Sequence, residues 1–361
     1  MKFLFRVDSS ILIGTGHIMR CLTLANHLKS LSHECIFICR DHDGHLGNNI
    51  ISAGHQLYLL KSYSALNHKK FSFDWNNHAK WLGVDWSLDV KESLEITKNV
   101  KPDWLIIDHY ALDSSWEIAI RPSVKNIMVI DDLEDRDHDC DILLDQTFGR
   151  KKHIYEKKVP KNCKLLCGSK YSLLREEFKS WRNTSLLNRE FAKLKNILIN
   201  LGGIDKDNFT SLVLDVLKVS KLPQTCTLTV IMGTNAPHVS NVKKIASEMP
   251  WKTEVKVGIE DMAELMAYAD LAIGAGGSSA WERCCLGLPT IQLVIAENQN
   301  FISESLEKAG AIKAINNINA LPNLIETAPK WMSHISQKCR SVTDGEGVQR
   351  VVSNFEVVYN A

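Results

Sequence analysis

An apolar run is followed by a loop of small residues and then by a helical pattern in Leu271-Ala272-Ile273-Gly274-Ala275-Gly276-Gly277-Ser278-Ser279-Ala280-Trp281-Glu282. This order predicts a buried strand, a turn that lets backbone approach a ligand closely, and a helix that begins at about Ser279. Free N–H groups at a helix start, with two hydroxyls beside them, can bind a diphosphate without a lysine. The loop lacks the Gly-Lys-Ser/Thr ending of an ATP-binding P-loop. Glu282, one turn further on, can accept hydrogen bonds from ribose hydroxyls.

The alternation of strand and helix extends outward from this loop through both halves of the chain. Short apolar strand patterns alternate with helical patterns over 3–145 and again over 196–309. Such alternation predicts parallel sheets covered by helices on both faces. We therefore predict the α/β class with two doubly wound, Rossmann-like domains. Ligands bind such sheets at the carboxyl ends of the strands, and a central cleft between facing domains is the expected site.

The polar stretch 175–193 marks the join between the two predicted domains. We assign 1–178 to an N-terminal domain and 195–335 to a C-terminal domain, each long enough to bury its own core. Residues 336–361 are predicted as a C-terminal helix that could pack back on the first domain. An insertion, 61–89, carries three tryptophans with several His and Lys residues. Its side chains could stack on bases, but we favour an added helical segment of the first domain.

The composition is that of an ordinary globular protein. Its 361 residues include 43 Lys and Arg against 42 Asp and Glu, and the formal net charge of +1 argues against binding nucleic acid by bulk charge. No apolar run approaches the roughly 18 residues of a membrane helix, and Arg6 and Asp8 stand where a signal peptide would be apolar. Ten cysteines without a Cys-x-x-Cys pair favour free thiols over a zinc ribbon or disulfides. We expect a cytoplasmic protein without membrane or nucleic-acid partners.

A second glycine-bearing turn precedes the first predicted helix, in Gly14-Thr15-Gly16-His17-Ile18-Met19-Arg20. A dinucleotide fingerprint would have a third glycine where Met19 stands, so a nicotinamide cofactor is disfavoured, although Arg40 after the second strand could suit the 2′-phosphate of NADP. His17 lies at the mouth of the helix, where the dipole disfavours an imidazolium, and a neutral imidazole can accept a proton. A capping or packing role for His17 stays open.

Three more strand ends carry glycines or polar residues. Gly202 and Gly203 follow a strand and indicate either backbone approach to a ligand or a plain tight turn. Asp108-His109-Tyr110 ends another strand, where polar residues favour function over packing. The amides of Glu297-Asn298-Gln299-Asn300 could cap a helix or hold sugar hydroxyls and acetamido groups.

Two stretches rich in aspartate and histidine, 42–45 and 135–139, lack recognised metal-ligand spacing. We interpret both as solvated loops, and the wider acidic cluster 131–141 as the charged rim of the cleft. No metal site is predicted.

Segments spread over nearly the whole chain resemble the pseudaminic-acid UDP-sugar hydrolases. They begin with Phe5-Arg6-Val7-Asp8-Ser9-Ser10 and the turn around His17. The others are 81–84, 106–110, 131–132, 140–146, 174–178, 202–205, 276–283, 298–299 and 344–351. So many matching segments are far more specific than one glycine loop.

The resemblance implies the GT-B fold, in which two Rossmann-like domains face a central cleft, the first on the sugar side and the second binding UDP. Members of that family hydrolyse UDP-2,4-diacetamido-2,4,6-trideoxy-β-L-altropyranose. They release UDP and the free sugar, without metal or cofactor, on the bacterial route to pseudaminic acid.

The resemblance also implies roles at matching positions. His17 would be the base that activates water, Tyr110 and Asn298 would line the sugar and water site, and Asp108 would orient them. Glu282 would hold the ribose, and 257–262 would face uracil. The further substrate-binding positions are Gly14, Gly16, Arg20, Gly203, Met262, Gly276, Gly277, Ser278, Ser279 and Gln299. The chain departs from the family at Asp145-Gln146, where asparagine is common, and this departure bears on the sugar contacts.

Loop amides and a helix end can stabilise departing UDP, so the remaining task is to aim and deprotonate a water. We therefore predict that an in-line water cleaves the C–O bond at the anomeric carbon. Three alternatives stay open: a glycosyltransferase with the same UDP loop, a UDP-sugar 2-epimerase of the same architecture, and a nucleotide-sugar sensor without turnover.

Overall fold

The chain forms two compact units. The computed structural model describes residues 1–63, 74–190 and 193–359. Unit 1 comprises Met1–Leu173 with the segment from Val348 onward, and unit 2 comprises Leu174–Gly347. Residues 64–73 of the predicted insertion, 191–192 of the polar stretch and 360–361 of the predicted last helix lie outside the described residues.

Unit 1 is built on a parallel sheet. Its strands are β1 Lys2–Val7, β2 Glu34–Arg40, β3 Gln56–Leu60, β4 Trp104–Asp108, β5 Asn126–Ile130, β6 Ile142–Asp145 and β7 Lys164–Cys167. The seven strands follow the order β3-β2-β1-β4-β5-β6-β7, so the chain reverses its direction of travel across the sheet between β1 and β4. Its helices are Gly16–Ser30, Gly47–Ser52, Trp86–Val100, Ser114–Ile120 and Gly347–Tyr359. Short 3₁₀ turns lie at Ala79–Leu82, Arg121–Ser123, Lys152–Ile154 and Ser169–Tyr171.

Unit 2 repeats this plan. Its strands are β8 Asn196–Asn200, β9 Thr227–Met232, β10 Lys252–Val257, β11 Leu271–Ala275, β12 Thr290–Leu293 and β13 Lys313–Ile315, in the six-stranded order β10-β9-β8-β11-β12-β13. Its helices are Glu176–Arg189, Phe209–Lys218, Val239–Ser247, Met262–Tyr268, Ser278–Cys285, Asn300–Lys308 and Leu321–Cys339, with 3₁₀ turns at Glu297–Gln299 and Ile318–Ala320. Every strand pair of both sheets is parallel, which confirms the predicted α/β class with two Rossmann-like units.

The sheet of unit 1 buries a core on each face because side chains alternate along its strands. Phe3 packs on the face that carries helix Gly16–Ser30, whereas Leu4 packs on the opposite face. Helix Gly347–Tyr359 joins the first of these cores through Phe355, which is fully buried. The ring of Phe355 lies 5.1 Å from Phe3 and 4.8 Å from Trp104. The last helix is therefore a structural part of unit 1.

The boundaries between the two units differ from those predicted from the sequence. The polar stretch that predicted a domain join folds as helix Glu176–Arg189 within unit 2, because Phe178 and Arg189 on its inner face are buried. In place of a single last helix over 336–361, one helix ends at Cys339 and another begins at Gly347. Across the described ranges, no helix has both the length and the apolar character needed to cross a membrane.

Truncating Phe355 tests the anchoring of the last helix. We expect Phe355→Ala to lower the free energy of unfolding of unit 1 by about 3–5 kcal/mol, since it removes a buried ring and leaves a cavity. Urea titration measures this loss. Ser353→Ala, on an exposed face of the same helix, is the control and should change stability by no more than about 0.5 kcal/mol. Equal effects of the two variants would contradict the anchoring.

Candidate functional site

Two predicted site segments of unit 1 lie at the point where its strand order reverses. The turn after β1 leads to His17, and β4 ends at Asp108, with Val7 and Asp108 paired in register. Ligands of open parallel sheets bind at this point, outside the carboxyl ends of the strands. The sheet thus brings His17, Asp108 and Tyr110 together, although the first is far from the others in sequence.

The turn before His17 is held by its own polar groups. The Ser10 hydroxyl accepts hydrogen bonds from the N–H of Leu12 at 3.1 Å and of Ile13 at 2.9 Å. The N–H of Gly14 donates to the Ser10 carbonyl at 2.8 Å, and Gly14 adopts φ +83°, which favours glycine. Gly16 opens helix Gly16–Ser30 on the surface. The backbone around Gly14 and Gly16 is therefore accessible, with His17 in the first turn of the helix.

The Asp108 carboxylate is the centre of the polar cluster in unit 1. It is fully buried and lies 2.6 Å from Nδ1 of His17. Arg20 donates to both of its oxygens, from Nε at 2.6 Å and from Nη2 at 2.7 Å. Burial alone would raise the pKa of Asp108, but Arg20 and His17 outweigh it and hold that pKa well below its usual range. An ionised Asp108 is the natural acceptor for a proton on His17 Nδ1.

The other ring nitrogen of His17, Nε2, is available to accept a proton. Among the described residues Nε2 has no hydrogen-bond partner, and it is not a closed-off buried atom. With Nδ1–H donated to Asp108, Nε2 carries the free lone pair. A histidine oriented by a carboxylate in this way can take a proton from a water or hydroxyl.

Tyr110 lies against His17 through its ring rather than its hydroxyl. The two rings meet edge to face at 4.5 Å. The Tyr110 hydroxyl donates to Asp132, which also accepts from Arg20 Nη1 at 2.8 Å. Burial, followed by the Asp132 carboxylate, raises the pKa of Tyr110 well above its usual value, so the phenol keeps its proton. The places of Tyr110 and Arg20 among the substrate contacts stay predictions.

The sequence analysis missed Trp81, which comes from the predicted insertion. Its ring stacks on Tyr110 at 5.4 Å with an interplanar angle of 27° and meets the His17 ring at 6.2 Å. His78 packs against both Trp81 and Tyr110. Trp81 is half-buried, so part of this aromatic wall reaches the surface beside His17. The sequence held two signals: Trp81 is one of the three tryptophans of the insertion, and it lies in one of the segments that carry the family resemblance.

A second buried charge cluster lies behind the turn. Asp8 accepts from Arg6 Nη1 and from the N–H of Arg40, both at 2.7 Å, and Asp89 accepts from both guanidinium groups. All four of these side chains are fully buried. Arg40 also pairs with Glu92 at 2.8 Å. Because its guanidinium is committed to carboxylates in the interior, Arg40 is not placed to take the 2′-phosphate considered from the sequence.

The acidic segments of unit 1 are more buried than their composition suggested. His138 is buried and pairs with Glu117 at 2.8 Å, and Asp131 is buried beside Arg136. Asp145 is also buried, and it accepts from the Tyr155 hydroxyl at 2.9 Å. These groups form internal ion pairs and hydrogen bonds, whereas Asp135, Asp137 and Asp43 are exposed, so the prediction of solvated loops holds for part of each stretch. Within the described parts of the chain, no cluster of three His, Cys, Asp or Glu residues could hold a metal ion.

In unit 2 the small-residue loop occupies the corresponding position. β8 and β11 are neighbours at the reversal of the strand order, with Asn200 paired to Gly274. Gly277 precedes helix Ser278–Cys285 with φ +131°, a conformation that side chains rarely adopt, and it offers no side chain to cap the helix. The residues from Gly276 to Ser279 are half-buried. The first N–H groups of the helix are therefore available to an anion.

The remaining predicted residues of unit 2 lie on neighbouring turns. Gly203 follows β8, and its carbonyl accepts from the N–H of Gly233 at 3.1 Å. Asn298 is exposed after β12, and Gln299 packs beside Gly276, with its amide oxygen accepting from the N–H of Ile295 at 3.1 Å. Met262 is half-buried at the start of helix Met262–Tyr268. Their contacts with substrate stay predictions.

Glu282 is the titratable group nearest this loop in sequence. It is half-buried, and its carboxyl lies 3.8 Å from Arg175 Nη2. Burial raises the pKa of Glu282 to about 7, although Arg175 and Arg283 act in the opposite direction. A carboxyl in this range can exchange hydrogen bonds with ribose hydroxyls in either protonation state.

Comparisons with known proteins agree with this architecture. No family model matches the chain. It is 30% identical over 312 residues to the UDP-2,4-diacetamido-2,4,6-trideoxy-β-L-altropyranose hydrolase of Campylobacter jejuni, covering 86% of this chain and 97% of the relative. MurG of Acinetobacter baumannii superposes with a TM-score of 0.69 at 16% identity, covering 98% of this chain and 99% of MurG. The UDP-GlcNAc 2-epimerase of Neisseria meningitidis, solved with UDP-GlcNAc, gives 0.57 at 13% identity over 98% and 99% of the two chains.

The likeness to these structures identifies the protein class as GT-B, the two-unit Rossmann-like fold of glycosyltransferases and UDP-sugar epimerases. The identity and coverage shared with the Campylobacter enzyme narrow this further. The chain belongs to the UDP-2,4-diacetamido-2,4,6-trideoxy-β-L-altropyranose hydrolase family.

The raised pKa of Glu282 predicts a pH-dependent effect on stability. The pKa of Glu282 is about 7 in the folded chain, against an ordinary value of 4.5, so the carboxyl loses its proton more readily when the chain is unfolded. Its contribution to stability is therefore full at low pH and declines as pH rises towards 7. We expect Glu282→Gln, which has no proton to lose, to raise the melting temperature by a few degrees at pH 8 and far less at pH 5.

Calorimetric melting at the two pH values measures this difference. Glu264→Gln, at an exposed position of unit 2, is the matched control and should change the melting temperature at neither pH. A larger gain at pH 5 than at pH 8 for Glu282→Gln would show that the sign is wrong.

Proposed function

We propose that the chain hydrolyses UDP-2,4-diacetamido-2,4,6-trideoxy-β-L-altropyranose to UDP and 2,4-diacetamido-2,4,6-trideoxy-L-altrose, without a metal, in pseudaminic acid biosynthesis. The name of the Campylobacter relative supports this substrate. All ten cysteines are free thiols, and nine are buried, which is consistent with action in the reducing cytoplasm.

The observation that carries the proposal is the 2.6 Å contact between His17 Nδ1 and Asp108. With Nδ1–H donated to Asp108, Nε2 would be the proton acceptor, and Asp108 would stabilise the imidazolium that forms when Nε2 takes a proton. Arg20 keeps Asp108 ionised and in place from the same helix as His17. General bases of this kind typically contribute about 10²–10⁴-fold to a rate.

The reaction step balances without a further reactant. Nε2 of His17 removes a proton from a water whose oxygen bonds to the anomeric carbon. The bond between that carbon and the UDP oxygen breaks, and its electron pair leaves with UDP. The imidazolium then returns its proton to solvent. Tyr110 and Asn298 would line the space for the sugar and the water, and the backbone at half-buried Gly14 and exposed Gly16 would allow close approach.

Unit 2 would hold the nucleotide. The loop from Gly276 to Ser279 would bind the diphosphate through N–H groups and hydroxyls, as helix starts bind anions, and Gly203 would add its backbone to the same site. Glu282 would bind the ribose, Met262 would face uracil, and Gln299 would support the loop that it contacts. Stabilisation of charge on the departing UDP is the main electrostatic task of the site.

Two other activities share this fold. The solved neighbours include UDP-sugar 2-epimerases and glycosyltransferases, and this likeness favours either as a second candidate. A hydrolase frees UDP stoichiometrically from the UDP-sugar alone. A transferase would need an acceptor, and an epimerase would invert C2.

Replacing His17 tests the proposed base. We expect His17→Ala to lower kcat about 10²–10⁴-fold while the Kd for UDP stays unchanged, because the imidazole acts on water rather than on the nucleotide. Initial rates and calorimetric UDP titration measure the two quantities. His27→Ala, in the same helix and half-buried, is the control and should retain full activity. An equal loss of kcat and UDP affinity would refute the base role.

Isotope labelling tests which bond breaks. Turnover in H₂¹⁸O should place one ¹⁸O in the released sugar and none in UDP, because the attacked atom is carbon. Mass spectrometry of both products gives the answer. The reaction is run in excess EDTA, where a metal-independent enzyme keeps its full rate. Label in UDP would rule out C–O cleavage.

A further inference from the structure

Arg283 is a buried guanidinium beneath the small-residue loop of unit 2. Only 2% of the residue is exposed. It belongs to helix Ser278–Cys285, and its side chain folds back towards the start of that helix. Nη1 donates to the Ser279 hydroxyl at 3.1 Å, and Nη2 donates to the Ala275 carbonyl at 2.7 Å. A Cβ on Gly274 would stand 2.7 Å from Nη1, so the loop backbone wraps closely around the cation.

Arg283 forms no ion pair with a carboxylate among the described residues, although the charge of the neighbouring Glu282 acts on it without contact. Its third acceptor is the neutral amide oxygen of Gln292 at 3.1 Å, and Nε has no partner. The buried arginines of unit 1, by contrast, form ion pairs with carboxylates, as Arg20 does with Asp108. Burial lowers the pKa of Arg283 to about 10, which leaves the group charged at neutral pH. Burying a charge without an ion pair costs free energy, unless another charge or dipole stabilises it.

Arg189 shows what a compensated case looks like in the same unit. It is also buried and forms no ion pair with a carboxylate among the described residues. Its donors go instead to the carbonyls of Met266 at 2.7 Å, Ala269 at 2.6 Å and Leu286 at 2.9 Å. These carbonyls lie at the C-terminal ends of two helices, where the helix dipole is negative. The negative ends of two helix dipoles thus face Arg189, although burial lowers its pKa to about 10, as it does for Arg283.

The helix dipole near the Arg283 guanidinium has the opposite sign to the dipoles near Arg189. Ser279 lies in the first turn of helix Ser278–Cys285, where the dipole is positive. The guanidinium and the helix start therefore add their fields at the loop, and no carboxylate among the described residues lies in contact with the guanidinium to balance them. An anion bound to the loop would balance the positive charge of the guanidinium and of the helix start.

We propose that Arg283 is a positioning residue for the diphosphate of UDP: its charge, acting from beneath the loop and through Ser279, attracts the phosphates bound above. This rests on the proposed function, because it takes the loop as the diphosphate site. Since the Ser279 oxygen accepts from Arg283, the hydroxyl hydrogen is free to donate to a phosphate oxygen. Gln292 is fixed for its part by donating from Nε2 to Ser303 at 2.8 Å. The arrangement supplies the positive charge that a loop without lysine otherwise lacks.

The test compares ligands that differ only in phosphate. Calorimetry gives Kd values for UDP, UMP and uridine with the wild-type chain, Arg283→Gln and the control Arg189→Gln. We expect Arg283→Gln to weaken UDP at least about tenfold more than uridine, as loss of a hydrogen-bonded charge would, with UMP in between. Arg189→Gln should weaken all three ligands equally or not at all. Arg283→Lys, which keeps the charge, should recover part of the preference for UDP.

Two results would overturn the proposal. One is an equal loss of UDP and uridine binding in Arg283→Gln, and the other is a UDP-selective loss in Arg189→Gln. If Arg283→Gln does not fold, Ser279→Ala decides the matter, because it removes the hydroxyl through which Arg283 acts. It should also weaken UDP more than uridine, and equal weakening refutes the relay. A wild-type chain that binds UDP but does not hydrolyse the UDP-sugar would refute the proposed function and leave this inference standing.

Discussion

The need to compensate one buried carboxylate, that of Asp108, organises unit 1 around its candidate site. A charge without access to water must be matched by donors, and here the donors come from His17 and Arg20 on one helix. The same contacts that stabilise the charge therefore set the rotation of that helix against the end of β4. They also decide which nitrogen of His17 is free. Stability and chemistry depend on the same few hydrogen bonds.

The cluster of Arg6, Asp8, Asp89 and Arg40 extends this principle to the turn behind His17. It links β1, β2 and helix Trp86–Val100 through charged groups that have no contact with water. Such clusters are worth little net free energy compared with apolar packing, but breaking one partner leaves the others uncompensated. They therefore favour a single arrangement of the elements that carry the site. Unit 2 holds its loop by different means, with glycines and a buried arginine, Arg283, that forms no ion pair among the described residues.

The fold could be predicted from the sequence because its signals are local. Apolar strands, helical periodicity and glycine turns at 14–16, 202–203 and 274–277 repeat in both halves, and the structure confirms them. The polar composition of 175–193 predicted a domain join, but the segment forms helix Glu176–Arg189, which has a buried face. The role of Arg40 could not be foreseen either, since its partners Asp89 and Glu92 are distant in sequence.

The candidate site could be predicted only in part for the same reason. His17, Asp108 and the loop at 276–279 stand next to strand ends and were found from their position. Trp81 was missed, because only the folded chain places it on Tyr110. Arg283 was missed because its distinctive property is that it is buried without an ion pair among the described residues, which no sequence pattern displays.

Unit 1 is formed by two segments of the chain, one before and one after unit 2 in the sequence. The chain leaves unit 1 after Leu173 and returns to it at Val348. During synthesis, the first 173 residues emerge from the ribosome long before Phe355, which fills the space beside Phe3 and Trp104. The nascent N-terminal unit therefore has an apolar gap until residue 355 has been synthesised. The core of unit 1 is therefore completed only after the whole of unit 2 has been synthesised.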